Sequence, residues 1–153
     1  MDMCKTVLIY LKRNDEYLFL YRNKKNNDIN KGKYIGVGGK VEKGETIEQA
    51  LIREVKEETN LDLLSYEYNG IIYFTYNGYK EEMHLFTSED FKGEIKECDE
   101  GELIFVPIKD IYKLNLWEGD KIFFEYLLNG ENFFKLTLNY EDDKLISWEK
   151  ENG

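Results

Sequence analysis

Proline and histidine each occur once in the 153 residues, and cysteine twice. No apolar run approaches the roughly 18 residues of a membrane span. Each scarcity closes off a class of protein. Without a long apolar run, or an apolar segment at the N-terminus, neither a membrane span nor a signal peptide is expected. Cys4 and Cys98 show no metal-ligand spacing and read as free thiols in a reducing, cytoplasmic setting. The lone histidine, His84, lies in an alternating stretch, where such a residue is a packed or solvated strand position, and no second histidine exists to serve a Ser-His or Cys-His mechanism. Basic residues are also in deficit, 21 Lys and Arg against 31 Asp and Glu, a net charge of −10. Binding to a nucleic-acid polymer needs a basic footprint and is not expected. A polyphosphate would be repelled unless cations screened it.

What is abundant is aromatic. Twelve Tyr, nine Phe and two Trp in a chain with one proline favour sheet, and a hydrophobic content of 42% argues against disorder. The length fits a single domain over residues 1–153.

The most informative stretch is residues 38–61. Thr46 followed by Gln49 forms a capping box, no Pro or Gly interrupts residues 47–59, and Asn60 suits the left-handed position past a helix end. A helix over about 47–59 is expected. At 100° per residue, Ile47, Ala50 and Leu51 share a face that continues through Glu54, Val55 and Glu58, with Glu57 at its margin. An inward row that starts apolar and turns acidic needs a neutralising partner, and Arg53, facing Glu57 at i, i+4, is one cation for three anions. Two readings fit: a solvated acidic face with intrahelical ion pairs, or oxygen ligands for a hard divalent cation, Mg²⁺ or Mn²⁺, which in turn suits a phosphorylated substrate.

Gly39, five residues, Glu45, seven residues, Arg53-Glu54-Val55-Lys56-Glu57-Glu58 and then Leu61 resembles the Nudix box, Gly-x5-Glu-x7-Arg-Glu-U-x-Glu-Glu-x-Gly-U, with U aliphatic. Asn60 replaces the second glycine. The resemblance implies an α/β (α+β) Nudix fold, a sandwich of two helices around a central mixed β-sheet. It also implies Mg²⁺ (Mn²⁺ as a substitute) held by Glu54, Glu57, Glu58 and the Gly39 carbonyl, with a carboxylate of that cluster taking a proton from water and Arg53 orienting Glu57 or Glu54. Glu45 ranks below the trio as a structural residue or weak metal contact.

Residues 4–12 and 16–22 read as two strands joined by the turn Arg13-Asn14-Asp15, the first apolar enough to be covered on both faces. Residues 23–33 form a polar loop, either simply solvated or offering Arg22, Lys24, Lys25 or Lys33 to substrate phosphates. Residues 34–42, with three glycines, read as a tight turn where Gly38 and Gly39 allow positive φ and close backbone approach. Residues 62–76 and 79–87 form a hairpin about Asn77-Gly78. The acidic turn within 91–102 offers Glu100, then Glu97, as a further metal ligand, or simply surface acids. A strand over 103–108, a second helix over about 119–129 on the opposite sheet face, and strands over 133–139 and 144–148 complete the chain.

Residues 97–120 are similar to the mammalian-type oxidised-purine nucleoside triphosphatases of the MutT-like group. That likeness implies Glu100 on the metal and Trp117 under a purine, a core or interface tryptophan being the alternative at 117. Of two adjacent acids that read the base edge, only Asp120 has a counterpart, Gly119 standing at the first, and Ile35 stands where a base-reading asparagine is expected. Tyr34, Gly38, Lys40 and Arg22 join Trp117, Asp120 and Ile35 as the expected substrate-binding set. The implied activity is Mg²⁺-dependent cleavage of a purine nucleoside triphosphate such as 8-oxo-dGTP to the monophosphate and pyrophosphate. Other substrates of the family (ADP-ribose, a dinucleoside polyphosphate, an RNA cap), a non-catalytic nucleotide sensor and an acidic interaction or metal-storage module are the alternatives.

Overall fold

The apolar run near the N-terminus becomes β1 (Cys4–Arg13), and its alternation decides the architecture. Val7, Ile9 and Leu11 face one way and Leu8 and Tyr10 the other, and all five are buried. The computed structural model describes residues 3–24, 28–97 and 99–151; Lys25 and Cys98 lie outside them, and Cys4 is a free thiol.

β2 (Glu16–Tyr21) returns antiparallel beside the far end of β1. Two short strands follow, β3 (Tyr34–Ile35) on β2 and β4 (Val37–Lys40) on the near end of β1. Helix α1 spans Ile47–Thr59. The long hairpin of β5 (Asp62–Tyr76) and β6 (Tyr79–Lys92) turns at Asn77 and Gly78, both at positive φ. β7 (Glu102–Pro107), a 3-10 helix over Ile108–Lys113, α2 (Glu118–Leu128), β8 (Phe134–Glu141) and β9 (Lys144–Lys150) complete the order. β1 pairs parallel with β6, and β5 parallel with β8, while the other pairings are antiparallel. The sheet is therefore mixed, as expected.

Two cores lie on its two faces. Ala50, Leu51 and Val55 of α1 pack with Val7, Ile9, Leu11 and Phe86. Phe123, Phe124 and Leu127 of α2 pack with Tyr10, Phe19 and Leu85. Truncating fully buried Leu51 to Ala would remove about 2–5 kcal/mol. His84 is buried, its ring nitrogens engaged by the Tyr68 hydroxyl and, at 2.8 Å, by Glu82 Oε2. No helix among the described residues is long and apolar enough to cross a membrane.

The glycine stretch corrects the sequence reading. Gly38 and Gly39 are strand residues of β4, not a turn, and neither has positive φ. What they supply is close approach: a Cβ on Gly38 would lie 1.9 Å from the Val7 carbonyl oxygen, and one on Gly39 would lie 2.5 Å from Glu54 Oε2. β6 also runs to Lys92, past the expected end at 87, because Asp62, Leu63 and Ser65 of β5 keep pairing with its last residues.

Candidate active site

α1 is fixed at both ends. The Thr46 hydroxyl accepts from the Gln49 N–H, Gln49 Oε1 accepts from the Thr46 N–H, and Asn60 closes the helix in the left-handed conformation at φ 69°. With the helix packed against β4, its carboxylates meet the glycine strand. Glu58, 6% exposed, accepts a 2.9 Å hydrogen bond from the Gly38 N–H. Burial pushes its carboxyl up to about 9, assisted by the charges of Glu54 and Glu100. Glu54 is also raised by burial, with Arg53 opposing. Glu57 stands at the rim, its side chain 59% exposed.

Arg53 binds more carboxylates than the helix spacing alone indicates. Nε and Nη2 grip Glu45 at 2.7 and 2.9 Å, Nη1 reaches Glu54 at 2.7 Å and Glu57 at 3.1 Å, and Nη2 also donates to the Lys40 carbonyl at 3.0 Å. The hydrogen bonds from Arg53 hold the Glu45 carboxyl below its ordinary range. Glu45 thus anchors the arginine, which sets Glu54 and Glu57.

Among the described residues, no three His, Cys, Asp or Glu side chains are gathered as ligands around one point. The donors nevertheless fit a hard cation. They are all oxygens, Glu54 lies against Gly39, and Glu58 is buried beside the acids Glu54 and Glu100 with no ion pair of its own among the described residues. Glu100 sits 3.5 Å from Arg22 Nη1, and Arg22 Nε is bound to Asp28 Oδ2 at 2.6 Å. Glu97 pairs with Lys24 at 3.4 Å.

A cavity of about 250 Å³ opens beside this cluster. Arg22, Ile35, Gly38, Gly39, Lys40, Trp117 and Asp120 line it, so most of the expected substrate residues come together. Tyr34 does not line it: its ring packs on Tyr21 with centroids 4.5 Å apart. Residues not singled out from the sequence, among them Thr6, Asn30, Phe74, Glu81 and Met83, complete the wall. Trp117 is 7% exposed, donates from Nε1 to Asn30 Oδ1 at 2.7 Å, and meets Phe74, Tyr76 and Tyr140 edge-on. Lys33 Nζ lies 5.3 Å from its ring centroid. No α1 side chain lines this cavity, which the helix meets only through the glycine strand; a larger hollow of about 800 Å³, walled by residues such as Ser65, Asn69 and Phe133, is lined by none of the expected site residues.

Gly119 has a structural reason. Its N–H donates to the Tyr140 hydroxyl, and a Cβ there would lie 2.7 Å from that oxygen and 2.5 Å from Leu138 Cδ1. The space of a side chain at 119 is filled from β8. One carboxyl, Asp120, is left at this end of the cavity, and burial pushes it up to about 7, with Lys33 pulling the other way. Below the titration of the unfolded chain this group is protonated in both states. As pH rises towards 7 the unfolded chain ionises first, so the folded state loses stability at about 1.4 kcal/mol for each unit between the two values. The thermal midpoint of the wild type should therefore fall relative to Asp120→Asn between pH 4 and 7. A constant difference would mean that Asp120 titrates normally.

The NUDIX domain profile matches residues 3–127. The chain belongs to the Nudix family. It is 36% identical over 104 residues to an oxidized purine nucleoside triphosphate hydrolase of Danio rerio, covering 67% of each chain. It is 30% identical over 119 residues to the Mus musculus protein of the same name, covering 76% of each. Its fold is similar to that of a MutT protein from Bacillus halodurans, with a TM-score of 0.87, 24% identity, and coverage of 97% of this chain and 98% of that one. Nudix hydrolases generally use divalent cations, in accord with the oxygen-rich cluster on α1.

Proposed function

We propose that this Nudix hydrolase of phosphoric anhydrides cleaves a purine nucleoside triphosphate, oxidised purines such as 8-oxo-dGTP included, to the monophosphate and pyrophosphate, as a cytoplasmic enzyme that clears the nucleotide pool. One observation carries the reading: a single cavity joins an aromatic end at buried Trp117 and Asp120 to the glycine strand at Gly38, Gly39 and Lys40, against which Glu54 and Glu58 of α1 pack. The base packs against Trp117 and Phe74, a contact that any purine face satisfies. Asp120 supplies the hydrogen-bonding group at the base edge. Lys40 and Arg22 meet the phosphates, Arg22 exchanging part of its hold on Asp28 and Glu100.

Glu54, Glu57, Glu58, the Gly39 carbonyl and Glu100 are the residues that would hold Mg²⁺ or Mn²⁺. Bound there, the cation would offset phosphate charge and supply a polarised water. Arg53, clamped by Glu45, holds Glu54 and Glu57 together, with Glu54 against Gly39. A carboxylate of the α1 trio accepts the proton of the attacking water.

The test is a nucleotide panel of 8-oxo-dGTP, dGTP, ADP-ribose, diadenosine polyphosphates and capped RNA, assayed for phosphate products with and without Mg²⁺. Pyrophosphate release from purine triphosphates, dependent on the cation, is the expected result. Turnover confined to the diphosphate-linked substrates would reassign the cavity, and no turnover of any of them would make the protein a binding module.

A further inference from the structure

We propose that Glu81 is a sugar-reading residue, and that it makes the site select ribonucleotides over deoxyribonucleotides. The inference rests on the nucleotide-triphosphatase reading above and names which nucleotides that site takes.

Glu81 lies on β6 and lines the cavity together with Thr6 and Met83. Its carboxylate is held from two sides: Thr6 Oγ1 donates to Oε2 at 3.0 Å, and the Tyr79 hydroxyl donates to Oε1 at 3.0 Å. A carboxylate offers about four acceptor sites and no donor. Two are used, so each oxygen retains acceptor capacity for whatever occupies the cavity. Repulsion disfavours a phosphate oxygen at that place, and an apolar edge would leave the remaining acceptor capacity unused. A partner that brings hydroxyl or amino hydrogens fits it.

Strand register indicates which. Thr6 is directly opposite Lys40 across the β1–β4 ladder, beside the Gly38–Gly39 segment where the nucleotide-triphosphatase reading puts the phosphates. Across β1–β6, Thr6 is opposite Met83, two residues from Glu81 and on the same face of the strand. The part of a nucleotide next to its phosphates is the sugar. With the base on Trp117 and its edge towards Asp120, the sugar is the portion that comes past Thr6 and Glu81. A ribose carries a 2′,3′-diol with two donors, one for each carboxylate oxygen, and a deoxyribose carries one. A carboxylate reading a ribose 2′-hydroxyl is an established solution in dinucleotide-binding folds.

The experiment compares kcat/KM for matched pairs, GTP with dGTP and 8-oxo-GTP with 8-oxo-dGTP, in the wild type, Glu81→Ala and Glu81→Gln. The wild type should prefer the ribose form by about tenfold to a hundredfold, the range for a charge-assisted hydrogen bond at a partly exposed site. Glu81→Ala should bring the ratio close to one. Should the alanine variant fail to fold, Glu81→Gln, which keeps the shape and removes the charge, is read for the same fall in ratio. A merely structural role would depress both sugars together and leave the ratio as it was, and that result overturns the proposal. A wild type that turns over both sugars equally also overturns it while the hydrolase reading stands. A wild type that turns over neither overturns both.

Discussion

Replacing Glu57 by Gln should lower cation-dependent pyrophosphate release by about a hundredfold to ten-thousandfold, the range seen when a proton-accepting or cation-holding carboxylate is removed. Folding should be almost untouched. The Glu57 side chain is 59% exposed and its contact with Arg53 is one of several that the guanidinium makes, with Glu45 and Glu54 retained. An exposed pair of this kind contributes about 0–1 kcal/mol. The variant therefore separates chemistry from stability, with kcat/KM for a purine triphosphate read beside the thermal midpoint. Retained turnover at an unchanged midpoint would remove Glu57 from the catalytic set and weaken the assignment of the whole trio. Loss of turnover together with a large drop in the midpoint would indicate that Glu57 matters through the fold instead.

The neighbouring glycines of β4 should give opposite results on substitution by alanine. At Gly38 the added methyl would meet the Val7 carbonyl oxygen at 1.9 Å. That atom is backbone, fixed in the β1–β4 ladder where Val7 pairs with Gly39 and Leu8 with Gly38. The clash can be relieved only by parting the two strands, which also withdraws the Gly38 N–H from Glu58. A loss of about 3 kcal/mol or more is expected, at the upper end of overpacking effects, and urea denaturation would measure it. At Gly39 the obstruction is the Glu54 carboxylate, 2.5 Å away and at the end of a flexible side chain. It can swing aside at little cost to the fold but loses its place in the cluster, so Gly39→Ala should remain folded and lose about a hundredfold in kcat/KM. A Gly38→Ala protein as stable as the wild type would show that β4 is not held against β1 as described. A fully active Gly39→Ala protein would show that the position of Glu54 is immaterial.

Features written in local sequence were readable before the structure. The Thr46–Gln49 box, the Asn60 stop and the Asn77-Gly78 turn are interactions among near neighbours, and helix α1 and the β5–β6 hairpin follow from them. The inward row of Glu54 and Glu58 was readable for the same reason, since helical periodicity alone places them. β4 was not, because a glycine pair has the same appearance whether it supplies a turn or a close strand crossing, and only the partner strand distinguishes the two. Nor was the grip of Arg53 on Glu45, eight residues apart across the helix start, where no fixed period applies. The cavity wall was legible in part. Trp117, Asp120 and Ile35 entered through a family likeness, whereas Thr6 and Glu81 are 75 residues apart and meet only because β1 and β6 run parallel. Strand alternation tells which way a side chain faces and is silent about which strand lies next to it.

Tyr140 gives the recognition end of the cavity an unexpected dependency. Its hydroxyl holds the start of α2 and occupies the room that residue 119 would need, so what stands at 119 is dictated from another strand 21 positions away. An acid at 119 would have to displace the ends of both Leu138 and Tyr140 and would take from the start of α2 the hydroxyl that holds it, so grafting that acid alone would disturb the very wall it is meant to equip.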